Sequence, residues 1–377
     1  MNVPSTFKNW RSWAFRALGR RAWDRFAAAT RDPGRAQEAL LSRLLEANAT
    51  SLFGREHSFA SLRNWEDYRS AVPIGDYERF RPYVNRMVAG ETTALTADPP
   101  YMLTQTSGTT GIPKLIPVTR AQRTAGAAAT RVWFYRALLD HPRLFDGRIL
   151  AMVSPAIEGY TEGGLPYGSA SGHIYQNAPW AIRHLYALPY QVAEIKDYEA
   201  RYYVAMRLAL EQSISFIGTP NPSTIGRLME TVDSHAEQLI RDIHEGTLSP
   251  AIEVSSATRR TLADRLAPNP RRARALTEMA SVAGAPRLTD YWPDLQLVGC
   301  WKGGSVGVQL EKLARWFPPS VPFRDIGYLA SEANMAIPIG DTGAGGVLAV
   351  DANVYEFVPE DAIEEAEPPV LRCDELI

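Results

Sequence analysis

The chain has 377 residues, 45% of them hydrophobic, and a formal net charge of −2. At about 150 residues per domain the length admits two domains or one large α/β domain with a sizeable core; the near-zero charge argues against non-specific nucleic-acid binding, which needs a basic face, and no apolar run approaches the roughly 18 residues of a membrane span. Two cysteines, Cys300 and Cys373, exclude a disulfide framework or a CxxC zinc site and point to a reducing, cytoplasmic setting.

Residues 1–23 carry Lys8, Arg11, Arg16, Arg20 and Arg21 but no acid, with Trp10, Trp13, Leu18 and Trp23 among them. An Arg-rich, acid-poor amphipathic start fits a transit peptide or a membrane-surface helix. The preferred reading is a first helix packed on the domain with its arginines in water, because apolar stripes at helical spacing usually make core contacts. Leu40, Leu41, Leu44 and Leu45 recur at the helical period over 36–47. Ser61 and Asp76 read as N-caps of the next two helices. Residues 1–95 are thus expected to form a mostly helical lead-in.

The character changes after residue 95. Residues 101–118 read as a short strand, a polar Gly/Thr/Ser loop and a second strand, and Thr119 can cap a long helix near 120–139. RILAMVSP (148–155) is a buried-strand pattern, followed by a Gly-, Tyr- and Pro-rich stretch from Gly159 to Pro189. A helix near 197–212, the strand SISFIG (213–218) and a helix from after Pro222 to about Glu245 follow. Residues 255–283 are Arg-rich and helical, broken at Pro268 and Pro270, with Arg271, Arg272 and Arg274 expected on a solvated face. From 295 onward, LQLVGCW reads as a strand, SVGVQLEKLARWF as a helix and PFRDIG as a strand. GVLAV and NVYEF read as adjacent strands joined at Asp351–Asn353. This alternation predicts an α/β protein with largely parallel sheets and antiparallel pairing near the C-terminus.

The most specific string is Thr106-Ser107-Gly108-Thr109-Thr110-Gly111-Ile112-Pro113-Lys114. Its glycines permit tight turns and close approach to a ligand. Its hydroxyls and backbone N–H groups suit a polyphosphate, whose oxygens only accept hydrogen bonds. Lys114 adds a mobile charge, and only five of the 40 basic residues are lysine, so it is less readily filler. The loop is not a Walker A motif. The alternative is an ordinary Ser/Thr/Gly turn between two strands.

The string resembles the phosphate-binding loop of adenylate-forming enzymes. With its flank it reads SGTTG-x-PK-x-IPVT, which is similar to the Gretchen-Hagen-three (auxin-responsive promoter) family of acyl-acid amido synthetases. Tyr328-Leu329-Ala330-Ser331-Glu332 resembles that family's second motif, and Gly299–Ser305 resembles the glycine-rich turn before it in bacterial-type members. Tyr355–Pro359, Thr219–Thr224 and Gly246–Leu248 also fit. Ala330, where plant members have a second serine, and Glu332-Ala333-Asn334-Met335, which differs from the Ser-Glu-Gly common in bacterial relatives, depart from the pattern.

The resemblance implies a large N-terminal adenylation domain over 1–377, with a helical lead-in, an α/β core from residue 96 and a partial β-barrel region near the C-terminus. It implies ATP- and Mg²⁺-dependent activation of a small carboxylic acid to an acyl-adenylate, then amide formation with an amino acid; composition adds the expectation of a cytoplasmic protein without nucleic-acid or membrane partners, and a monomer is expected. Thr106, Ser107, Gly108, Thr109, Thr110 and Gly111 would hold the nucleotide phosphates and Lys114 would neutralise them. Tyr328, Ala330 and Ser331 would line the nucleotide, and Glu332 would be the Mg²⁺ ligand. Gly172, His173, Gly303, Gly304 and Ser305 are candidates for the substrate pocket. Cys300 reads as a buried small hydrophobe rather than a thioester nucleophile. A third family motif and a small C-terminal lid domain are also implied, and neither occurs in the 377 residues. The expectation is therefore an adenylation domain without its lid, with impaired turnover and a strand edge exposed near Ile377. The alternatives are an acyl-CoA or acyl-protein ligase, and a nucleotide- or acyl-acid-binding protein without turnover.

Overall fold

The computed structural model describes residues 10–105, 114–281, 288–365 and 367–376. The lead-in is helical: α1 (Trp10–Ala29), α2 (Pro33–Asn48), α3 (Trp65–Ala71) and α4 (Tyr77–Val88). α1 buries Ala22 and Phe26 and leaves Arg16, Arg20, Arg21 and Arg25 exposed, as a core-packing first helix should. The Asp76 side chain accepts from Glu78 N at 3.0 Å, capping α4. The cap of α3 is not Ser61, which ends a short 3₁₀ turn, but Asn64, accepting from Asp67 N at 2.9 Å. Asn64 wins because Trp65 is the first residue of this helix to enter the core, so the helix begins three residues later.

Two four-stranded sheets follow. The first has order β2-β1-β5-β4, formed by β1 (Met102–Gln105), β2 (Leu115–Val118), β4 (Gly159–Tyr160) and β5 (Pro166–Gly168). It is mixed: β1 runs antiparallel to β2 and parallel to β5. The second has order β3-β6-β7-β8, formed by β3 (Arg148–Leu150), β6 (Ile214–Gly218), β7 (Leu297–Gly299) and β8 (Phe323–Arg324), and is parallel throughout.

The parallel sheet is buried on both faces, and period-2 alternation sorts its side chains between two cores. Ile149, Phe216 and Leu297 face the cluster built with α1 and the long helix α5 (Arg120–Asp140). Their neighbours Leu150, Ile217 and Val298 face the other cluster. That second core also holds α7 (Tyr198–Ala209) and α8 (Pro222–Glu245), which follow the short α6 (Ala170–Gln176) in the chain. Each such side chain contributes about 1.5–3 kcal/mol on burial. β3 is shorter than the pattern 148–155, because the parallel ladder with β6 ends at Leu150. The outer side of β3 is closed by Leu185–Ala187, which exchange backbone hydrogen bonds with Ile149.

Beyond α8, α9 (Ser256–Ala263) and α10 (Pro270–Ser281) occupy the Arg-rich stretch. Arg272 does not lie on a solvated face: its guanidinium donates to Leu210 O at 2.6 Å and Tyr291 O at 2.8 Å. Those two carbonyls end other segments, and a fork of N–H donors serves both. α11 (Gly307–Leu313) leads toward β8.

The C-terminal region, expected as part of a barrel, carries two separate antiparallel ladders among the described residues. β9 (Ala336–Ile337) pairs with β10 (Val347–Leu348), and β11 (Glu356–Phe357) pairs with β12 (Leu371–Arg372). GVLAV and NVYEF are therefore not a hairpin. The buried side chain of Gln37, from α2, takes their backbone groups instead. Its Nε2 donates to Val350 O and Asn353 O, both at 2.7 Å, and its Oε1 accepts from Tyr355 N at 2.8 Å.

Candidate functional site

The parallel sheet gathers the chemistry-bearing turns at its carboxyl ends, where ligands of open α/β sheets bind. Gly299 ends β7 and leads into Cys300–Ser305; Arg324 ends β8 and leads into Asp325–Glu332. Thr219, which follows β6, donates its N–H to Gly299 O at 3.0 Å, and Trp301 N donates to Pro220 O at 2.9 Å. Cys300 N also donates to Arg324 O at 3.2 Å, so three turns distant in sequence are tied edge to edge.

Asp325 fastens two of them. Its buried carboxylate accepts from Lys302 N at 2.7 Å through one oxygen and from Gly327 N at 2.6 Å through the other. The second bond is an Asx turn, a side chain capping the backbone two residues on. Gly327 must be glycine: its φ is +97°, and a Cβ would sit 2.1 Å from Ala336 O. Trp301 Nε1 adds a bond to Gly327 O at 3.0 Å. The pattern PFRDIG reads as a strand, and the clamp lies just past its end. The Asp-x-Gly at its end was the signal available.

Tyr328–Asn334 forms a closed turn, with Met335 N bonding Tyr328 O at 2.8 Å and Ala330 N bonding Ala333 O at 2.9 Å. Tyr328 is 65% exposed, and its ring is free to meet a ligand. The Glu332 carboxylate is exposed and has no ion-pair partner among the described residues. α5 runs under this turn. Gln122 Nε2 donates to Ser331 O at 3.1 Å and Glu332 O at 2.5 Å, and Asn334 Nδ2 donates to Gly126 O at 3.3 Å. Further along, Trp133 Nε1 donates to Asp325 O at 2.8 Å and Arg136 to Ile339 O at 3.2 Å. At the helix end, His141 Nε2 lies 2.8 Å from Asp341, whose other oxygen takes Arg324 Nε at 2.6 Å. Arg324 is fully buried and also bonds Asp140 at 2.6 Å. Lys302 Nζ is held by Phe323 O at 3.0 Å and Asp341 O at 2.6 Å.

Thr106, Ser107, Gly108, Thr109, Thr110 and Gly111 lie outside the described residues. The stem of their loop is described: Gln105 pairs with Leu115, closing the β1–β2 hairpin. Tyr77 of α4 braces it, its hydroxyl donating to Leu115 O at 2.9 Å and accepting from Leu115 N at 3.1 Å. Lys114 Nζ sits 5.4 Å from the centre of the Tyr77 ring. α5 starts directly after β2, capped by Thr119 accepting from Gln122 N at 3.2 Å. One helical turn therefore links the loop's hairpin to the Glu332 turn.

Gly303, Gly304 and Ser305 follow β7 in a short 3₁₀ turn beside Asp325's clamp. Gly172 and His173 lie on α6, not in a loop. Gly172 is buried where a Cβ would meet Ser154 O at 2.1 Å. His173 stacks on Tyr101, centroids 4.8 Å apart, at the start of β1 rather than at its exit into 106–113. Burial first, and then the charge of Arg123, hold its pKa below the ordinary value, and Asn177 Nδ2 lies 3.1 Å from its Nε2. Cys300 is fully buried and its thiol is pushed up to about 12, chiefly by burial, so it is no nucleophile at neutral pH. A cavity of about 840 Å³ opens elsewhere, where α8 kinks at His235, and none of these residues lines it.

Jasmonoyl-L-amino acid synthetase JAR6 of Nicotiana attenuata is 24% identical over 366 residues, covering 92% of this chain and 63% of that protein. Indole-3-acetic acid-amido synthetase GH3.10 of Arabidopsis thaliana is 27% identical over 330 residues, covering 80% of this chain and 54% of its own length. The chain thus spans little more than half to three fifths of these relatives. The solved structure of the AtGH3.15 acyl acid amido synthetase in complex with 2,4-DB superposes with a TM-score of 0.80 at 20% identity, over 94% of this chain and 62% of that one. It shares the α/β fold with parallel sheets and flanking helices. The family model described as the GH3 family N-terminal domain matches residues 22–323, and the chain belongs to the GH3 family.

Proposed function

We propose that this chain carries the adenylation machinery of an acyl-acid amido synthetase: it activates a small carboxylic acid with ATP and Mg²⁺ to an acyl-adenylate, which an amino acid then converts to an amide. The observation that carries this reading is the gathering of the 301–305 and 328–332 turns at the carboxyl ends of one parallel sheet, beside the hairpin that bears the 106–114 string.

Adenylation is an in-line attack of a carboxylate oxygen on the α-phosphorus of ATP, with pyrophosphate leaving. The nucleophile is already ionised at neutral pH, so the residues need only position and stabilise charge. Ser107, Gly108, Thr109, Thr110 and Gly111, with Thr106, would offer hydroxyl and backbone donors to the β- and γ-phosphates. Lys114 would add a cation, and Tyr328, Ala330 and Ser331 would line the nucleotide. Gly172, His173 and Gly303–Ser305 are assigned to the acyl side.

Glu332 fits Mg²⁺ in one specific way. No group of three or more metal-ligating side chains occurs among the described residues, so a free-standing metal cage is not built. Mg²⁺ characteristically takes one or two carboxylates together with substrate phosphates and waters, and a single exposed carboxylate suits that arrangement. The ion would neutralise charge on the phosphates.

Pyrophosphate exchange by this chain with a panel of aromatic and fatty acids tests the first half-reaction. Acid-dependent exchange is expected, and none with any acid in the presence of Mg-ATP would sink the proposal. AMP release that depends on an amino acid, and not on coenzyme A, tests the second.

A further inference from the structure

We infer that Gln122 is a positioning residue for Glu332: its side-chain amide sets the direction in which the Glu332 carboxylate leaves the backbone, and so couples the hairpin of the 106–114 loop to the metal-binding turn. The inference rests on the proposed role of Glu332.

Both donors of the Gln122 amide are spent on consecutive carbonyls, those of Ser331 and Glu332. In an extended strand consecutive carbonyls point to opposite sides. Here both turn toward one NH₂ group, so the chain curls at 331–332 and the Cα–Cβ bond of Glu332 is fixed by that curl. The amide's orientation is settled by chemistry, since flipping it would press Oε1 against two acceptors. Its Oε1 is buried without a partner among the described residues, so no competing bond sets the side chain. Of the turn's other bonds, those from Ala330 N to Ala333 O and from Met335 N to Tyr328 O close it on itself, and that from Asn353 Nδ2 to Asn334 O at 2.8 Å ties its far end to the 350–355 segment; none of these reaches the hairpin. Asn334 to Gly126 is the other side-chain link from the turn to α5, and at 3.3 Å it is the longer one. Gln122 lies in the first turn of α5, four residues past the end of β2, so a shift of the loop's stem is transmitted to Glu332 through one helical turn. The arrangement is that of an outer-shell partner holding a metal ligand.

Calorimetric titration of ATP into the chain, with Mg²⁺ and in EDTA, tests this without recourse to turnover. The variants are Gln122→Met, which keeps the length and loses the donors, Glu332→Gln, and the double substitution. Gln122→Glu, equally long and unable to donate, serves if the methionine variant fails to fold by circular dichroism. We expect Gln122→Met to weaken Mg-ATP binding about ten- to a hundredfold while metal-free ATP binding stays within about twofold. Glu332→Gln should do the same, and the double variant should be no worse than Glu332→Gln alone. A Gln122 variant that binds Mg-ATP like the wild type while Glu332→Gln does not overturns the inference and leaves the reading of Glu332 standing. Equal losses with and without Mg²⁺ overturn it as well, since they mark a general structural role. Wild-type affinity in Glu332→Gln, or no binding by the wild type, overturns the reading of Glu332 and the inference with it.

Discussion

The carboxylate of Asp325 and the backbone N–H of Lys302 lie 2.7 Å apart, and this bond joins the turn after β7 to the turn after β8. The same carboxylate holds Gly327 N, so one buried group sets two segments of the candidate site. In Asp325→Asn the amide can accept only one of these N–H groups and sets its own NH₂ against the other. We expect a loss of about 1–3 kcal/mol in urea denaturation. Pyrophosphate exchange should fall by about ten- to a hundredfold, because both turns are displaced. Unchanged exchange in a destabilised protein would separate the clamp from the chemistry.

Arg324 is fully buried between Asp140 and Asp341. Arg324→Met keeps the volume and leaves two carboxylates facing each other without their cation. Breaking a buried pair costs about 3–5 kcal/mol, but both carboxylates keep some contact with water. A loss of about 2–3 kcal/mol is therefore expected by denaturant titration. Wild-type stability would show that water, with His141 beside Asp341, suffices for both acids.

His173 predicts a pH dependence. Its pKa in the folded chain is lowered by burial and by Arg123, so the unfolded state binds the proton more readily. Stability contributed by the neutral ring is fully present above its unfolded pKa of about 6.5 and is lost as pH falls below it toward the folded value. His173→Phe preserves a ring against Tyr101 and removes the titration. Thermal unfolding at pH 7.5 and 5.5 should therefore show a smaller acid-side drop in His173→Phe than in the wild type. Identical drops would remove His173 from the account.

Gln37 serves three backbone groups of the 350–355 segment from a helix near the start of the chain. Gln37→Leu leaves all three unpartnered in the interior. We expect a loss of about 2–4 kcal/mol in urea denaturation. Hydrogen exchange should quicken at Tyr355 N, the amide that Gln37 accepts from, and protection unchanged at that amide would contradict the assignment.

The elements legible in the sequence were those whose cause is local. Phe216 and Ile217 alternate because a strand's period is two, and Asp76 and Thr119 cap because a side-chain oxygen reaches the next turn. GVLAV and NVYEF do not pair with each other because β9 and β12, from other segments, take their ladder bonds and Gln37, far away in sequence, takes Val350 O and Tyr355 N. Arg272 was misread for the same reason, its carbonyl partners belonging to other segments. The 328–332 turn is marked in the sequence by its resemblance to a family motif, but the support from Gln122 is not, since nothing near residue 122 marks which carbonyls its amide will meet.

Helix α5 touches the stretch from Asp325 to Asp341 at successive points from Gln122 to His141, over about 30 Å of helix axis. That stretch contains only a two-residue strand of its own. Its shape is therefore borrowed: the helix is the mould and the stretch the casting. Damage to α5 should therefore disturb residues 325–341 as a block rather than one at a time.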